Sequence, residues 1–117
     1  MEAELPRTRT DLQLLARIQF RNETGLEREC FGNIIELGSR ALLLEAARPL
    51  VLGSHVVLKV VFPGQRQFAK SLIPLHCVVR KAHDEPNLHY DLEMTVLEKE
   101  SHVRLLLYLN RDGPGEP

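Results

Sequence analysis

The chain has 117 residues and a formal net charge of −1, from 15 Lys+Arg against 16 Asp+Glu. That balance argues against sequence-independent nucleic-acid binding, which needs a basic field to displace counterions, but leaves room for one small anion met by local arginines. With no tryptophan and 5% aromatics in a 44% hydrophobic chain, the core must be aliphatic, and the length suits a single domain, 1–117, with residues 1–6 and 113–117 expected to be flexible.

The N-terminal "MEAELPRTRT" lacks the apolar h-region of a secretory signal. The apolar runs are far too short to span a bilayer, so a cytoplasmic location without membrane insertion is expected. Two cysteines, Cys30 and Cys77, are too few for a disulfide framework and are expected as buried packing residues.

The hydrophobic period is two over most of the chain. In "LQLLARIQF" Leu12, Leu14, Ala16, Ile18 and Phe20 fall on one face, and Leu15 breaks the polar face opposite. "NETG" marks a turn, and "FGNIIELGSRALLLEA" (31–46) reads as strand, glycine turn, strand. After "RPLVLG" comes "HVVLKVVF", with Val56, Leu58, Val60 and Phe62 aligned, closed by "FPGQ". "LIPLHCVVRK" aligns Ile73, Leu75, Cys77 and Val79; Pro74 inside it has no N–H to donate to a ladder and belongs at an edge, an opening or a bulge. After "HDEPN", "LHYDLEMTV" sets Leu88, Tyr90, Leu92, Met94 and Val96 against His89, Asp91, Glu93 and Thr95, the pattern of a half-buried antiparallel strand.

Six short strands with polar turns predict a small closed or nearly closed antiparallel β-barrel, since closure removes exposed edges. In "KESHVRLLLYLNR" the period changes: Val103, Leu106, Leu107 and Asn110, flanked by Leu105 and Leu109, predict a C-terminal α-helix with its leucines against the barrel. Ser101 is placed to cap its start, with Arg111 in the last turn and "DGP" as a stop.

Catalysis is not expected. The five histidines, His55, His76, His83, His89 and His102, form no metal-ligand spacing, and neither cysteine belongs to a C-x-x-C. His76 and Cys77 are adjacent strand residues and point to opposite faces. No serine lies in G-x-S-x-G. Asp91 and Glu93 share an outer strand face, where carboxylates lack the burial that general acid–base work needs.

"GNIIELGSRALLLEA", then "PLVLGSHVVLKVVFPG", "LHCVVRK", "YDLEMTVL" and a leucine-rich helix together resemble the PilZ domain, over roughly Arg7 to Arg111. The resemblance implies a six-stranded barrel with a C-terminal helix, acting in bacteria as a receptor or adaptor for cyclic di-GMP. It also implies a two-part ligand signature: Arg-x-x-x-Arg on an N-terminal arm and (Asp/Asn)-x-Ser-x-x-Gly between the second and third strands. Arginine forks onto phosphate or guanine acceptors and stacks on a base. Residues two apart on a strand face the ligand together, and glycine permits the tight turn beside it.

The second part reads Asn33-Ile34-Ile35-Glu36-Leu37-Gly38, where Asn33 and Gly38 match and Ile35 replaces the serine. In the first part Arg7 matches, Asp11 stands in place of the second arginine, and Arg9 is placed to substitute on the arm. "RIQFR", Arg17 to Arg21, also fits Arg-x-x-x-Arg but lies inside the first strand. A charge-assisted hydrogen bond contributes roughly 1.5–3 kcal/mol, so losing one arginine and one hydroxyl weakens binding by on the order of 10²-fold.

The expected function is therefore a PilZ-type regulatory or adaptor domain of cyclic di-GMP signalling, acting through a protein partner with weak or absent nucleotide binding. The alternative is a cyclic di-GMP receptor using Arg7, Arg9, Asn33 and Gly38, with Arg40 or Arg80 nearby. A barrel binding single-stranded nucleic acid is disfavoured by the scarcity of stacking rings and basic charge. Exposed Leu15, Val57 and Val61 are candidates for an interface.

Overall fold

The computed structural model describes residues 8–60, 73–85, 88–96 and 98–110. Six strands, β1 (Thr8–Arg21), β2 (Glu27–Leu37), β3 (Ala41–Ala46), β4 (His55–Val60), β5 (Ile73–His83) and β6 (His89–Val96), precede one helix, α1 (Lys99–Asn110). The strands close a barrel in the order β1-β2-β3-β6-β5-β4, every pair antiparallel. This is the mainly β, six-stranded barrel with a C-terminal helix that the period-two pattern predicts.

Alternation fills the interior as expected. Leu14, Ala16 and Ile18 of β1, Val56, Leu58 and Val60 of β4, Ile73, Leu75, Cys77 and Val79 of β5, and Tyr90, Leu92 and Met94 of β6 are all buried. Phe62, Val61 and the "FPGQ" turn lie outside the described residues, as do Arg111, "DGP" and both chain ends. Pro74 is the second residue of β5. It faces Lys59 of β4, whereas β6 joins β5 only from His76 onward, so the described ladder beside Pro74 is one-sided.

Three local devices hold the connections. The Asn22 carboxamide oxygen accepts from the Thr24 and Leu26 amides, 3.0 Å each, and Gly25 supplies the left-handed residue (φ 82°) of the "NETG" turn. The Tyr90 hydroxyl accepts the buried Leu50 amide at 3.0 Å, tying the β3–β4 loop to the core. Gly32 faces inward where β2, β3 and β1 crowd together: a Cβ there would stand 2.7 Å from Ile18 Cδ1 and meet the Glu45 carbonyl oxygen still closer.

Three expectations need correction. The first strand begins at Thr8 rather than near Leu12, because Thr8 and Arg9 pair with Leu37 and Glu36 before an irregularity that ends at Leu14. The helix presents a different face from the predicted one. Ser101, Arg104, Leu105 and Tyr108, at i, i+3, i+4 and i+7, face inward, while Val103 and Leu107 remain 47% and 48% exposed and Leu106 is also exposed. Leu105, Leu106 and Leu107 are consecutive and point about 100° apart, so the run cannot by itself choose a rotation. Contact with β5 chooses it, placing Leu105 and the broad Tyr108 ring in the core. Nor does Ser101 cap the helix: the carbonyl of Glu98 accepts the His102 amide at 2.8 Å, which starts the helix earlier and leaves Ser101 buried in the first turn.

Leu105→Ala should therefore cost about 2–5 kcal/mol of unfolding free energy, while Leu107→Ala should change it by less than about 0.5 kcal/mol; urea denaturation separates the two. Gly32→Ala should destabilise by roughly 1–3 kcal/mol, since backbone and core must both shift to admit one methyl group.

Candidate functional site

The stretch that the sequence resemblance singles out, Asn33 to Gly38, lies in the β2–β3 hairpin. Leu37 pairs with Leu42, and the Gly38 amide donates to the Ala41 carbonyl at 2.8 Å to close the turn through Ser39 and Arg40. A regular hairpin closed in this way would set Asn33 opposite Ala46. Instead the register shifts between Ile34 and Glu36, so that Asn33 faces Glu45. One extra residue in β2 is a β-bulge. It leaves Ile34 and Leu37 buried while Asn33, Ile35 and Glu36 are half-buried.

The bulge decides the chemistry around Asn33. Its carboxamide Nδ2 donates to Glu45 Oε1 at 3.4 Å, and the other carboxylate oxygen of Glu45 lies 3.9 Å from His89 Nε2. Leu15 of β1 stands on the other side of Asn33 as its paired residue. A surface concavity of about 310 Å³ adjoins Asn33, lined by Leu15, Phe31, Ala47, Leu88 and Glu45 among others. The structure thus brings to the signature position one amide, one carboxylate and hydrocarbon.

The sequence-predicted residues distribute as follows. Asn33 and Gly38 sit at the two ends of the bulged segment, and Gly38 is buried in the turn. Arg9 belongs to β1 and pairs with Glu36, which sets its backbone beside the signature rather than on a separate arm. Arg7 lies outside the described residues. Arg40 is exposed in the turn, with its carbonyl accepting from the Met94 amide at 2.8 Å. The Arg80 guanidinium donates to Glu93 Oε1 at 2.8 Å across the β5–β6 ladder. Arg17 and Arg21, the literal Arg-x-x-x-Arg, face Glu29 and Glu27 at 3.7 and 3.8 Å, so their charges are matched by exposed carboxylates.

Sequence reasoning missed Glu45 and Phe31. Glu45 is the single polar residue interrupting "ALLLEA", and alternation does turn it outward; its meeting with Asn33 depends on the bulge. The outer carboxylates of β6 also have partners, since Asp91 Oδ1 lies 3.0 Å from His83 Nε2 and Glu93 holds Arg80. Among the described residues no three His, Cys, Asp or Glu side chains converge as metal donors, and no helix is long and apolar enough to cross a membrane.

Comparison with solved structures identifies the architecture. MotI/DgrA, the inhibitor of motility of Bacillus subtilis, superposes with a TM-score of 0.66 at 18% identity, covering 98% of this chain. The PilZ domain of CeSA from a cellulose-synthesizing bacterium gives 0.57 at 11% identity, over 88% of this chain and 93% of that one. The PilZ domain of YcgR from Escherichia coli, with c-di-GMP, gives 0.57 at 14% identity, over 91% and 87%. The chain has the PilZ fold. It spans about half the length of MotI/DgrA, 54% of that chain. No family model matches the sequence, and neither does any curated protein.

The two thiols of this PilZ barrel differ. Desolvation raises Cys30, with the backbone amides of Ala47 and Arg48 and the Arg48 charge pulling the other way. Burial alone pushes the Cys77 thiol up to about 12 from its ordinary 9.0. A raised thiol favours the neutral form in the folded state, so the stability tied to Cys77 is intact below the ordinary value and is lost as pH climbs from about 9 towards about 12. Above about pH 9, unfolding free energy should therefore fall more steeply in the wild type than in Cys77→Ala, by at most about 1.4 kcal/mol per pH unit. Denaturation curves at a series of alkaline pH values read this slope.

Proposed function

We propose that the chain is a single PilZ-type regulatory module of cyclic di-GMP signalling that works in the cytoplasm through a protein partner and binds the nucleotide weakly or not at all. It has no catalytic role in this reading. One observation carries the proposal: where an anionic dinucleotide needs a hydroxyl and positive charge, the surface offers Ile35 and the Glu45 carboxylate, with the Asn33 amide turned to Glu45 at 3.4 Å. Asn33 keeps a second N–H and its Oδ1 for a guanine edge, but a dinucleotide held there would bring its phosphates near the Glu45 carboxylate. The regulatory setting draws support from similar folds, among them MrkH, a c-di-GMP-dependent transcription regulatory factor that matches with a TM-score of 0.59 at 14% identity over 91% of this chain.

A second reading, a receptor built on Arg7, Arg9, Asn33 and Gly38, is favoured by the pairing of Arg9 with Glu36, which carries an arginine backbone to the edge of the signature. Calorimetric titration with cyclic di-GMP, with GTP and cyclic GMP as controls, separates the two. The first reading expects no binding tighter than the high-micromolar range in the wild type. It also expects Asp11→Arg combined with Ile35→Ser to raise affinity by on the order of 10²-fold, the worth of one charged and one neutral hydrogen bond. Low-micromolar wild-type binding that Arg9→Ala abolishes would establish the receptor instead.

A further inference from the structure

The cavity beside Asn33 has a character of its own. Leu15 and Phe31 are diagonal neighbours across the β1–β2 ladder, Leu15 opposite Asn33 and Phe31 two residues before it, a separation that an aromatic side chain bridges. They are 61% and 55% exposed. Single exposed apolar residues are ordinary on a protein surface, but two large ones along a concavity of about 310 Å³ form a patch. Gly32 is also in the lining, where β2 lies too close to Ile18 and the β3 backbone to admit a Cβ. Leu88 forms another part of the wall, and its backbone is left-handed (φ 63°), a conformation that suits glycine or asparagine and strains leucine.

Charge limits what the cavity can receive. Among the residues that line it, Glu45 is the ionisable one, and its side chain is 48% exposed. The nearby Arg17, paired with Phe31 across the ladder, has its guanidinium 3.7 Å from the Glu29 carboxylate, so its charge is matched. The result is a mainly apolar trough whose lining carboxylate, Glu45, also has His89 Nε2 at 3.9 Å. A carboxylate in the lining favours a cation beside it over phosphate or an acidic segment.

We propose that this trough docks a short segment of the protein partner, which sets one large apolar side chain between Leu15, Phe31 and Leu88 and a lysine or arginine against Glu45. The inference rests on the reading that this surface serves a protein rather than the nucleotide. A handful of buried anchors dominates such contacts, so Phe31 and Glu45 are the residues whose loss should be felt.

The test is a selection of random dodecapeptides displayed on phage against the purified full chain, counter-selected against Phe31→Ser, with the winners synthesised and measured by fluorescence anisotropy. The expected peptides place Leu, Phe, Ile or Met within a few residues of Lys or Arg. Leu15→Ser and Phe31→Ser should each weaken them by at least about tenfold, while Leu107→Ser on the far helix face should not. Glu45→Gln should weaken the basic peptides and leave versions with the cation replaced by norleucine unaffected. Because Leu15 and Phe31 are exposed, circular dichroism should find both variants folded.

No enrichment, peptides without a basic residue, or equal binding to Phe31→Ser would each overturn the proposal. So would self-association in light scattering that Phe31→Ser abolishes, since the occupant would then be a second copy. Adding cyclic di-GMP to the same assay keeps the two readings apart. Tight nucleotide binding that displaces the peptide would overturn the functional reading while leaving the docking face in place. Failure of the peptides with no nucleotide binding would overturn the docking face alone.

Discussion

β1 is hydrogen-bonded along both edges, to β2 over most of its length and to β4 from Ala16 to Gln19, and the rest of the molecule follows from that double pairing. Without it the sheet would be an open ribbon with two exposed ladders, each a template for another chain. With it, alternate residues of six strands are driven into one interior that side chains can fill. A chain without tryptophan fills it with Leu, Ile and Val, sealed by Leu105 and Tyr108 of the helix. Closure leaves the buried strand side chains almost all apolar, with Ser101 and Arg104 of the helix as buried polar residues among those described.

A closed barrel needs stagger, and here the stagger comes with irregularities in the ladders: between Arg9 and Leu14, between Ile34 and Glu36, and twice in the β5–β6 pairing. Bulges re-aim side chains as well as bend strands. The one at Ile35 has the largest consequence for function, because it exchanges Ala46 for Glu45 as the residue across from Asn33. A single inserted residue therefore sets the Glu45 carboxylate against Asn33.

The fold tolerates this. Outward-facing residues on a closed barrel contribute little to the core, so Ile35, Glu45, Leu15 and Phe31 can differ from a ligand-binding set without loss of architecture, and function is decided by the site rather than by the fold. Arg17 lies 3.7 Å from Glu29 and Arg80 2.8 Å from Glu93, both pairs on the outside of the barrel. Exposed pairs of this kind add little stability; their effect is on what the surface attracts.

The strand pattern was legible because alternation is a local property. "LHYDLEMTV" and "HVVLKVVF" can satisfy water and core at once only as half-buried strands, and the Gly and Asn residues between runs mark turns whatever surrounds them. That Ile35 rather than a serine stands two residues after Asn33 could likewise be read from residue types alone. What the sequence left open were quantities set by neighbours. The leucine run of α1 allows several rotations, and only packing against β5 selects Leu105 and Tyr108 over Leu106 and Leu107. The reach of β1 back to Thr8 depends on a free β2 edge beside Leu37, which the N-terminal residues do not encode. Nor could the pairing of Asn33 with Glu45 be found by counting from the turn, because a bulge changes register without changing composition. Local periodicity determined which residues are strands and which face the core; long-range pairing decided which side chains meet on the outside.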